Sequence, residues 1–265
     1  MPGKRLITLA ALLLGGGVAH AADQPVSLTK PPPLHEDVDA APKIQRPRTG
    51  PERRINKALA GYDARSLKEL EECRKSALEN ARVIHPADTD FEWRRSIKPS
   101  MRGPHYLSFS VFTYYSCGGA HPSPVTSSII FDLETGLRAQ WKNLLPKKLV
   151  GKTDENGAGG IEMPSMASKR LHELYVQAYR KGEHADDKQC VDSVESSDSE
   201  PMFQAWLDAG AGGLTYVMLL NQFDTACMDE FVLPLETLRA EGAPEATLRA
   251  LDLAHKTWIA DKPPK

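Results

Sequence analysis

YLSFSVFTYYSCGGAHPSPVTSSIIFDLETG, which spans residues 106–136, carries the clearest structural signal in the chain. Tyr106–Tyr115 alternates in large part between apolar and polar residues and is rich in aromatic side chains, so it predicts a strand buried on one face. Val125–Leu133 predicts a second strand, and Glu134–Gly136 predicts a turn after it. About nine residues centred on GGAHP separate the two strands, which indicates a long hairpin or a looped connection.

Helical patterns lie on both sides of this stretch. Residues 54–81 predict a helix, because apolar residues recur there at spacings of three and four. Its expected apolar face comprises Leu67, Leu70, Cys73, Ala77 and Leu78. A second helix is expected to open at Pro164, with an apolar stripe of Ala167, Leu171, Leu174, Tyr175 and Ala178. A closing helix is expected over Glu245–Ala260.

Strand-like segments complete the pattern. From Phe91 onward the helical spacing is lost, and three further short strands are expected over Phe203–Leu207, Leu214–Leu220 and Glu230–Leu235. The acidic, serine-rich segment 182–200 predicts a solvated loop. Together these elements predict an α+β fold with a largely antiparallel sheet flanked by helices, in one domain over residues 52–260.

The four cysteines predict two disulfides. An even number of cysteines is typical of the disulfide frameworks of exported proteins, and four cysteines allow three pairings. We favour Cys73–Cys117 and Cys190–Cys227, because each pair joins a helix-rich stretch to a strand-rich one. A zinc site is not expected, because no cysteines are spaced Cys-x-x-Cys and only His121 lies close to a cysteine.

The N-terminus has the organisation of a signal peptide. Lys4 and Arg5 precede an apolar run over Leu6–Leu14, and Ala19–Ala21 supplies the small-x-small cleavage pattern, so residues 1–21 are expected to be removed. The apolar run is shorter than the roughly 20 residues of a membrane span. We therefore expect a periplasmic protein, or a secreted one, that has no membrane span after cleavage.

Composition sets the ends of the mature chain apart from the domain. Residues 22–51 contain seven prolines and no apolar periodicity, which predicts a disordered leader. Residues 261–265 are expected to form a short tail. Removal of residues 1–21, which carry two basic residues and no acidic ones, changes the formal net charge from −2 to −4. This acidic balance argues against a nucleic-acid partner.

The sequence contains no convincing catalytic constellation, and no cofactor is expected. It has neither Gly-x-Ser-x-Gly nor His-Glu-x-x-His, since His172–Glu173 lacks the second histidine. The glycine-rich segments 157–160 and 210–213 do not have phosphate-loop spacing. Acidic pairs such as Asp88 with Asp90, or Asp186 with Asp187, are common on any surface. The acids of segment 182–200, namely Asp192, Glu195, Asp198 and Glu200, lack the ligand ladder of a calcium loop.

Three strings in this chain carry a resemblance to a known family. They are YSCGGAHP at Tyr115–Pro122, FDLETG at Phe131–Gly136 and WKNLL at Trp141–Leu145. With the strand that precedes them, they resemble the extracytoplasmic domain of RsiV-type anti-sigma factors. The same domain accompanies the catalytic domain of PdaC-type peptidoglycan deacetylases. The match covers about 40 residues.

The resemblance implies an exported α+β domain that works by binding. In the RsiV branch the bound molecule is lysozyme, and in the deacetylase branch the domain accompanies catalysis without performing it. For this chain it implies a non-enzymatic binding protein of the cell envelope, which senses or inhibits a lysozyme-like muramidase or binds another peptidoglycan-associated protein. The alternatives are a peptidoglycan-active hydrolase or deacetylase, and a structural envelope protein.

The GGAHP turn supplies the candidate binding residues Gly118, Gly119, His121 and Pro122. The glycines can adopt positive φ without a Cβ penalty, so a tight structural turn stiffened by Pro122 is one interpretation. The other is that the turn displays His121 to a ligand, since rigid scaffolds commonly present binding groups on loops.

Overall fold

The fold was analysed in a computed structural model that describes residues 25–83, 91–119, 121–155, 160–196, 201–220 and 224–260. The helices are α1 (Gly50–Val83), α2 (Trp141–Leu144), α3 (Lys147–Val150), α4 (Lys169–Tyr179), α5 (Lys188–Glu195), α6 (Leu235–Ala240) and α7 (Glu245–Ala260). The strands are β1 (Phe91–Arg102), β2 (Tyr106–Cys117), β3 (Ser123–Asp132), β4 (Lys152–Asp154), β5 (Ser165–Ala167), β6 (Met202–Asp208), β7 (Gly213–Leu219) and β8 (Glu230–Pro234). The predicted α+β class is confirmed. The proposed signal peptide and the tail lie outside the described residues.

The first sheet has the order β1-β2-β3 and is antiparallel throughout. Tyr115 pairs with Ser123, so β2 and β3 form the predicted hairpin around GGAHP. Leu107, Phe109 and Ile129 point from one face of this sheet into a buried cluster against α1. The alternation of apolar and polar residues along β2 therefore corresponds to a real inner and outer face.

Helix α1 covers that face through a longer stripe than the sequence predicted. Its buried positions recur every three or four residues, which keeps them on one side of the helix: Ile55, Leu59, Tyr62, Ser66, Leu70, Cys73 and Ala77. Leu67 and Leu78 were assigned to this face, but they are 38% and 60% exposed. Each follows a stripe position by one residue, which rotates its side chain by about 100° away from the sheet.

The prediction of a disordered leader is wrong for residues 25–51. Val38 and Ala41 are fully buried, and Ile44 is nearly so. The segment also bonds to the outer edge of β1, because the Arg95 N–H donates to the Asp37 carbonyl at 2.8 Å and the Asp39 N–H donates to the Arg95 carbonyl at 2.9 Å. The proline-rich composition led to the prediction of disorder. An irregular segment can nevertheless cover a sheet edge and bury a few apolar side chains.

A buried ion pair fastens the same segment to α1. The Arg95 guanidinium lies 2.8 Å from the Asp63 carboxylate, and its Nε donates to the Asp39 carbonyl at 3.0 Å. Asp63 also accepts from the Ala41 N–H at 2.9 Å and lies 3.6 Å from the ammonium of Lys43. Because both charges are paired and hydrogen-bonded, their burial is tolerated.

The second sheet has the order β4-β5-β6-β7-β8, again with antiparallel neighbours. One face packs on α4, α6 and α7 around a core that includes Tyr175, Phe203 and Tyr216. The two sheets meet at β6, where the Ser128 hydroxyl donates to the Ala205 carbonyl at 2.6 Å. The Ala209 N–H donates to the Ser100 carbonyl at 2.8 Å. Small buried side chains allow this close backbone approach.

Two helices in the second half differ from the sequence prediction. The helix expected to open at Pro164 begins at Lys169, because the Ser168 hydroxyl accepts from the Leu171 N–H at 3.1 Å and caps it there. The expected loop 182–200 contains helix α5, which begins where the Asp187 carboxylate accepts the Gln189 and Cys190 N–H groups. In both places a short polar cap, not apolar periodicity, sets the boundary.

Both favoured disulfides are present. Cys73 of α1 is bonded to Cys117 at the end of β2, with the Cα atoms 4.8 Å apart. Cys190 of α5 is bonded to Cys227, in a short 3-10 turn before β8, with a Cα separation of 5.2 Å. Among the helices that the structure describes, none has the length and apolar character needed to cross a membrane.

Candidate functional site: the clamped end of the β2–β3 hairpin

The base of the GGAHP turn is fixed to α1 by three kinds of contact. The Cys73–Cys117 disulfide joins the helix to the last residue of β2. The Asn80 side-chain amide donates to the carbonyls of Cys117 and Gly118, at 3.4 and 3.1 Å. Gly118 is buried with φ +76°, and a Cβ added there would lie 2.8 Å from the Cα of Ala77. Gly118 is therefore required by both its backbone conformation and its close approach to the helix.

The tip of the turn has the opposite character. Gly119, His121 and Pro122 are exposed, and a Cβ added to Gly119 would meet no atom within 4 Å. Gly118 and Gly119, for which the sequence predicts the same role, thus have different roles. Gly118 holds the base of the turn, whereas Gly119, His121 and Pro122 form a narrow projection.

Aromatic and basic side chains flank this projection on both faces of the sheet. On the α1 face, Trp93 stacks on Tyr115 with ring centroids 5.3 Å apart. On the opposite face, the Arg94 guanidinium lies over the Tyr114 ring at 5.0 Å, a cation–π arrangement. Both pairs follow from the strand register, which places Trp93 opposite Tyr115 and Arg94 opposite Tyr114. We refer to Arg94, Tyr114, Gly119, His121 and Pro122 together as the hairpin end.

Sequence reasoning found the turn but missed Arg94 and Tyr114. Tyr114 lies in the predicted strand as a structural residue, and Arg94 is not among the predicted site residues. The run FEWRR at residues 91–95 contains a signal, because aromatic and arginine residues at adjacent positions suit a strand with two useful faces. The β1–β2 register decides that Trp93 lies opposite Tyr115 and Arg94 opposite Tyr114, and sequence patterns do not fix that register.

Several other groups weighed in the sequence have structural roles. Asp187 caps α5, and Glu195 accepts from the Arg180 guanidinium at 2.7 Å. His172 Nε2 is 2.8 Å from the Val194 carbonyl and so joins α4 to α5. Gly212, with φ +69°, lies in the turn between β6 and β7. The described residues contain no group of three or more His, Cys, Asp or Glu side chains that could hold a metal ion.

Several of those candidates lie outside the described residues. They are Asp88 and Asp90, the acidic positions Asp198 and Glu200, and most of the glycine-rich segment 157–160.

The hairpin end therefore combines a rigid base with an exposed, compact tip. Tyrosine and arginine are enriched among the side chains that dominate binding energy at protein interfaces. The arrangement can present these groups to a concave partner surface with little reorganisation.

Comparison with known proteins finds a structural similarity at low sequence identity. No family model matches the chain, and no curated protein matches it. Among solved structures, it is similar to a DUF3298 family protein from Pseudomonas aeruginosa PAO1, with 14% sequence identity and a TM-score of 0.48. That alignment covers 86% of this chain and 98% of the other.

Proposed function

We propose that this chain is an exported, non-enzymatic binding protein of the cell envelope, and that its hairpin end inserts into the cleft of a lysozyme-like muramidase. The observation that carries the proposal is the disulfide-clamped turn, with Gly118 packed on α1 and Gly119, His121 and Pro122 projecting. By occupying the muramidase cleft, the protein inhibits the enzyme or senses its presence.

Preorganisation is the physical basis of the proposed affinity. A flexible loop loses conformational entropy when it docks, at about 1–2 kcal/mol for each backbone residue that becomes fixed. Here the turn is held by two paired strands, by the disulfide and by Asn80 before any partner arrives. Most of that entropy has already been lost on folding, so more of the contact energy contributes to binding.

Location and charge support the choice of partner class. The N-terminal pattern of residues 1–21 suits export, and disulfides persist in oxidising compartments. Residues 22–265 carry a formal net charge of −4, which favours encounter with the basic surfaces common among lysozymes. The YSCGGAHP string at the hairpin resembles the domain family in which lysozyme is a bound partner.

A steric block at the tip tests the proposal. Gly119→Arg adds bulk where the fold leaves open space, and Gly61→Arg is its matched control, because Gly61 is also exposed and a Cβ there meets no atom within 4 Å. Gly61 lies on α1, away from the turn. We would titrate each mature variant into a panel of muramidases by calorimetry and follow bacterial lysis by turbidity.

We expect wild type and Gly61→Arg to bind at least one muramidase and slow lysis, and Gly119→Arg to lose both effects with an unchanged melting temperature. Absence of binding and protection across the panel would contradict the proposal. So would release of muropeptides or acetate from isolated sacculi by the purified protein, since that result favours a wall-active enzyme.

A further inference from the structure

A second candidate site lies away from the turn, in a cleft of about 430 Å³ between the two sheets. The first sheet contributes Lys98 and Phe112 to its wall, and the second sheet contributes Trp206 and Glu230. Trp258 of α7 closes one side. We refer to this space as the inter-sheet cleft. Its volume is within the range of small-molecule pockets, about 300–1,000 Å³.

The strand registers explain why these side chains converge. Lys98 pairs with Ser110, and Phe112 pairs with Thr126, so their side chains lie on the sheet-facing side that carries the buried Ser108 and Ser128. On the second sheet, Trp206 and Glu230 share one face, because Trp206 is opposite Thr215 and Glu230 is opposite Val217. The small serines bring the sheets together at one end, and the larger side chains hold them apart at the cleft.

The cleft offers one uncommitted charge of each sign. The Asp208 carboxylate, which also lines it, is occupied by the Ala211 N–H at 2.9 Å and the Thr215 hydroxyl at 3.0 Å. Lys98 and Glu230 form no ion pair with any described residue. Partial burial raises the pKa of Glu230, which the Lys98 charge opposes and the Asp208 charge reinforces. A ligand with a strong net charge would be attracted by one of these groups and repelled by the other.

The remaining wall is aromatic and hydroxylated. Phe112 is 45% exposed, so part of its ring surface is available, whereas Trp206 is only 3% exposed and forms the floor. Hydroxyl groups that can donate or accept come from Ser96, Ser110 and Thr126. The cleft thus alternates apolar ring surface with donors and acceptors, and its one basic and two acidic side chains leave it without a strong net charge.

We propose that the inter-sheet cleft binds a neutral saccharide unit of a glycan chain. A pyranose ring has C–H faces that pack on aromatic rings and a rim of hydroxyls that both donate and accept, so it matches the cleft in shape and polarity. Lys98 donates to the sugar and Glu230 accepts from it, while Phe112 packs on the ring. This inference concerns a different surface from the hairpin end and does not depend on a muramidase partner.

Neutral and anionic trisaccharides distinguish this proposal from a charged ligand. We would titrate the mature protein with tri-N-acetylglucosamine, cellotriose and trigalacturonate, and measure heat and tryptophan fluorescence, since Trp206 and Trp258 report from the cleft. We expect saturable binding of at least one neutral trimer at millimolar concentration, with a fluorescence change, and much weaker binding of trigalacturonate.

Exposed side chains on the two faces of the same sheet provide the variants. Phe112→Ala removes the ring that packs on the sugar and should weaken binding about tenfold. Val125→Ala is the matched control, because Val125 is 42% exposed and does not line the cleft; we expect unchanged affinity. Glu230→Gln keeps the shape and should weaken binding.

No saturable binding of a neutral trimer would overturn the proposal. Equal affinity of wild type and Phe112→Ala would overturn it as well, and so would tighter binding of trigalacturonate than of both neutral trimers. Because Gly119→Arg leaves the cleft untouched, it should bind the sugar like wild type, so failure here and failure of the muramidase proposal are separate results.

Discussion

Removal of each disulfide in turn separates its effect on stability from its effect on binding. The Cys73–Cys117 and Cys190–Cys227 pairs close segments of 44 and 37 residues. In the chain-entropy account, each disulfide lowers the entropy of the unfolded chain and so raises its free energy by about 4 kcal/mol. Cys73, Cys190 and Cys227 are buried, and Cys117 is half-buried. We therefore expect the double variants Cys73→Ala/Cys117→Ala and Cys190→Ala/Cys227→Ala to lose similar free energies of unfolding in urea titrations.

Their effects on partner binding should differ. Loss of Cys73–Cys117 frees the base of the hairpin end, and re-ordering even one backbone residue on docking costs about 1–2 kcal/mol, or about a tenfold loss of affinity. Loss of Cys190–Cys227 loosens α5 and the turn before β8, so affinity should stay near the wild-type value. Calorimetry at a temperature where both variants are folded makes the comparison. Equal affinity of the two variants would refute the preorganisation argument.

Two further predictions concern stability. Ile44→Ala should lower the free energy of unfolding by about 2–5 kcal/mol in urea titrations, because Ile44 is buried in the α1 core; a disordered leader would give no change. Glu241 bonds to Arg170 and Lys148, each at 2.7 Å, and these contacts lower its pKa from 4.5 to about 2. The folded state then loses stability as pH falls from about 4.5 towards 2. In melting curves against pH, Glu241→Gln should be less stable at neutral pH and show a shallower acid decline; an unchanged profile would contradict this assignment.

The elements that the sequence predicted are those with a local pattern of their own. The β2–β3 hairpin and α7 follow from alternation and helical spacing, the three later strands follow from short strand-like segments, and α7 has the predicted bounds. The favoured disulfide pairing is also present, and its basis was that each pair joins a helix-rich stretch to a strand-rich one. Elements that depend on a polar cap, such as α5, or on edge coverage, such as residues 25–49, leave no periodic signal.

The candidate sites depend on tertiary pairing and were less accessible from sequence. The GGAHP turn stands out as a motif, but the separate roles of Gly118 and Gly119 depend on where α1 passes. The inter-sheet cleft brings Lys98 and Phe112, from the consecutive strands β1 and β2, next to Glu230 from β8, which comes much later in the chain. Only the register of both sheets and the crossing at β6 bring them together, so no local pattern could have predicted that site.

Hydrogen–deuterium exchange on the mature protein, alone and saturated with an inhibited muramidase, tests the mode of binding most directly. Our account predicts slower exchange for backbone amides of residues 112–124 and 91–95 in the complex, with α5 and α7 unchanged. Slower exchange confined to another surface, or an identical exchange pattern with and without the muramidase, would show that the clamped hairpin does not bind this partner.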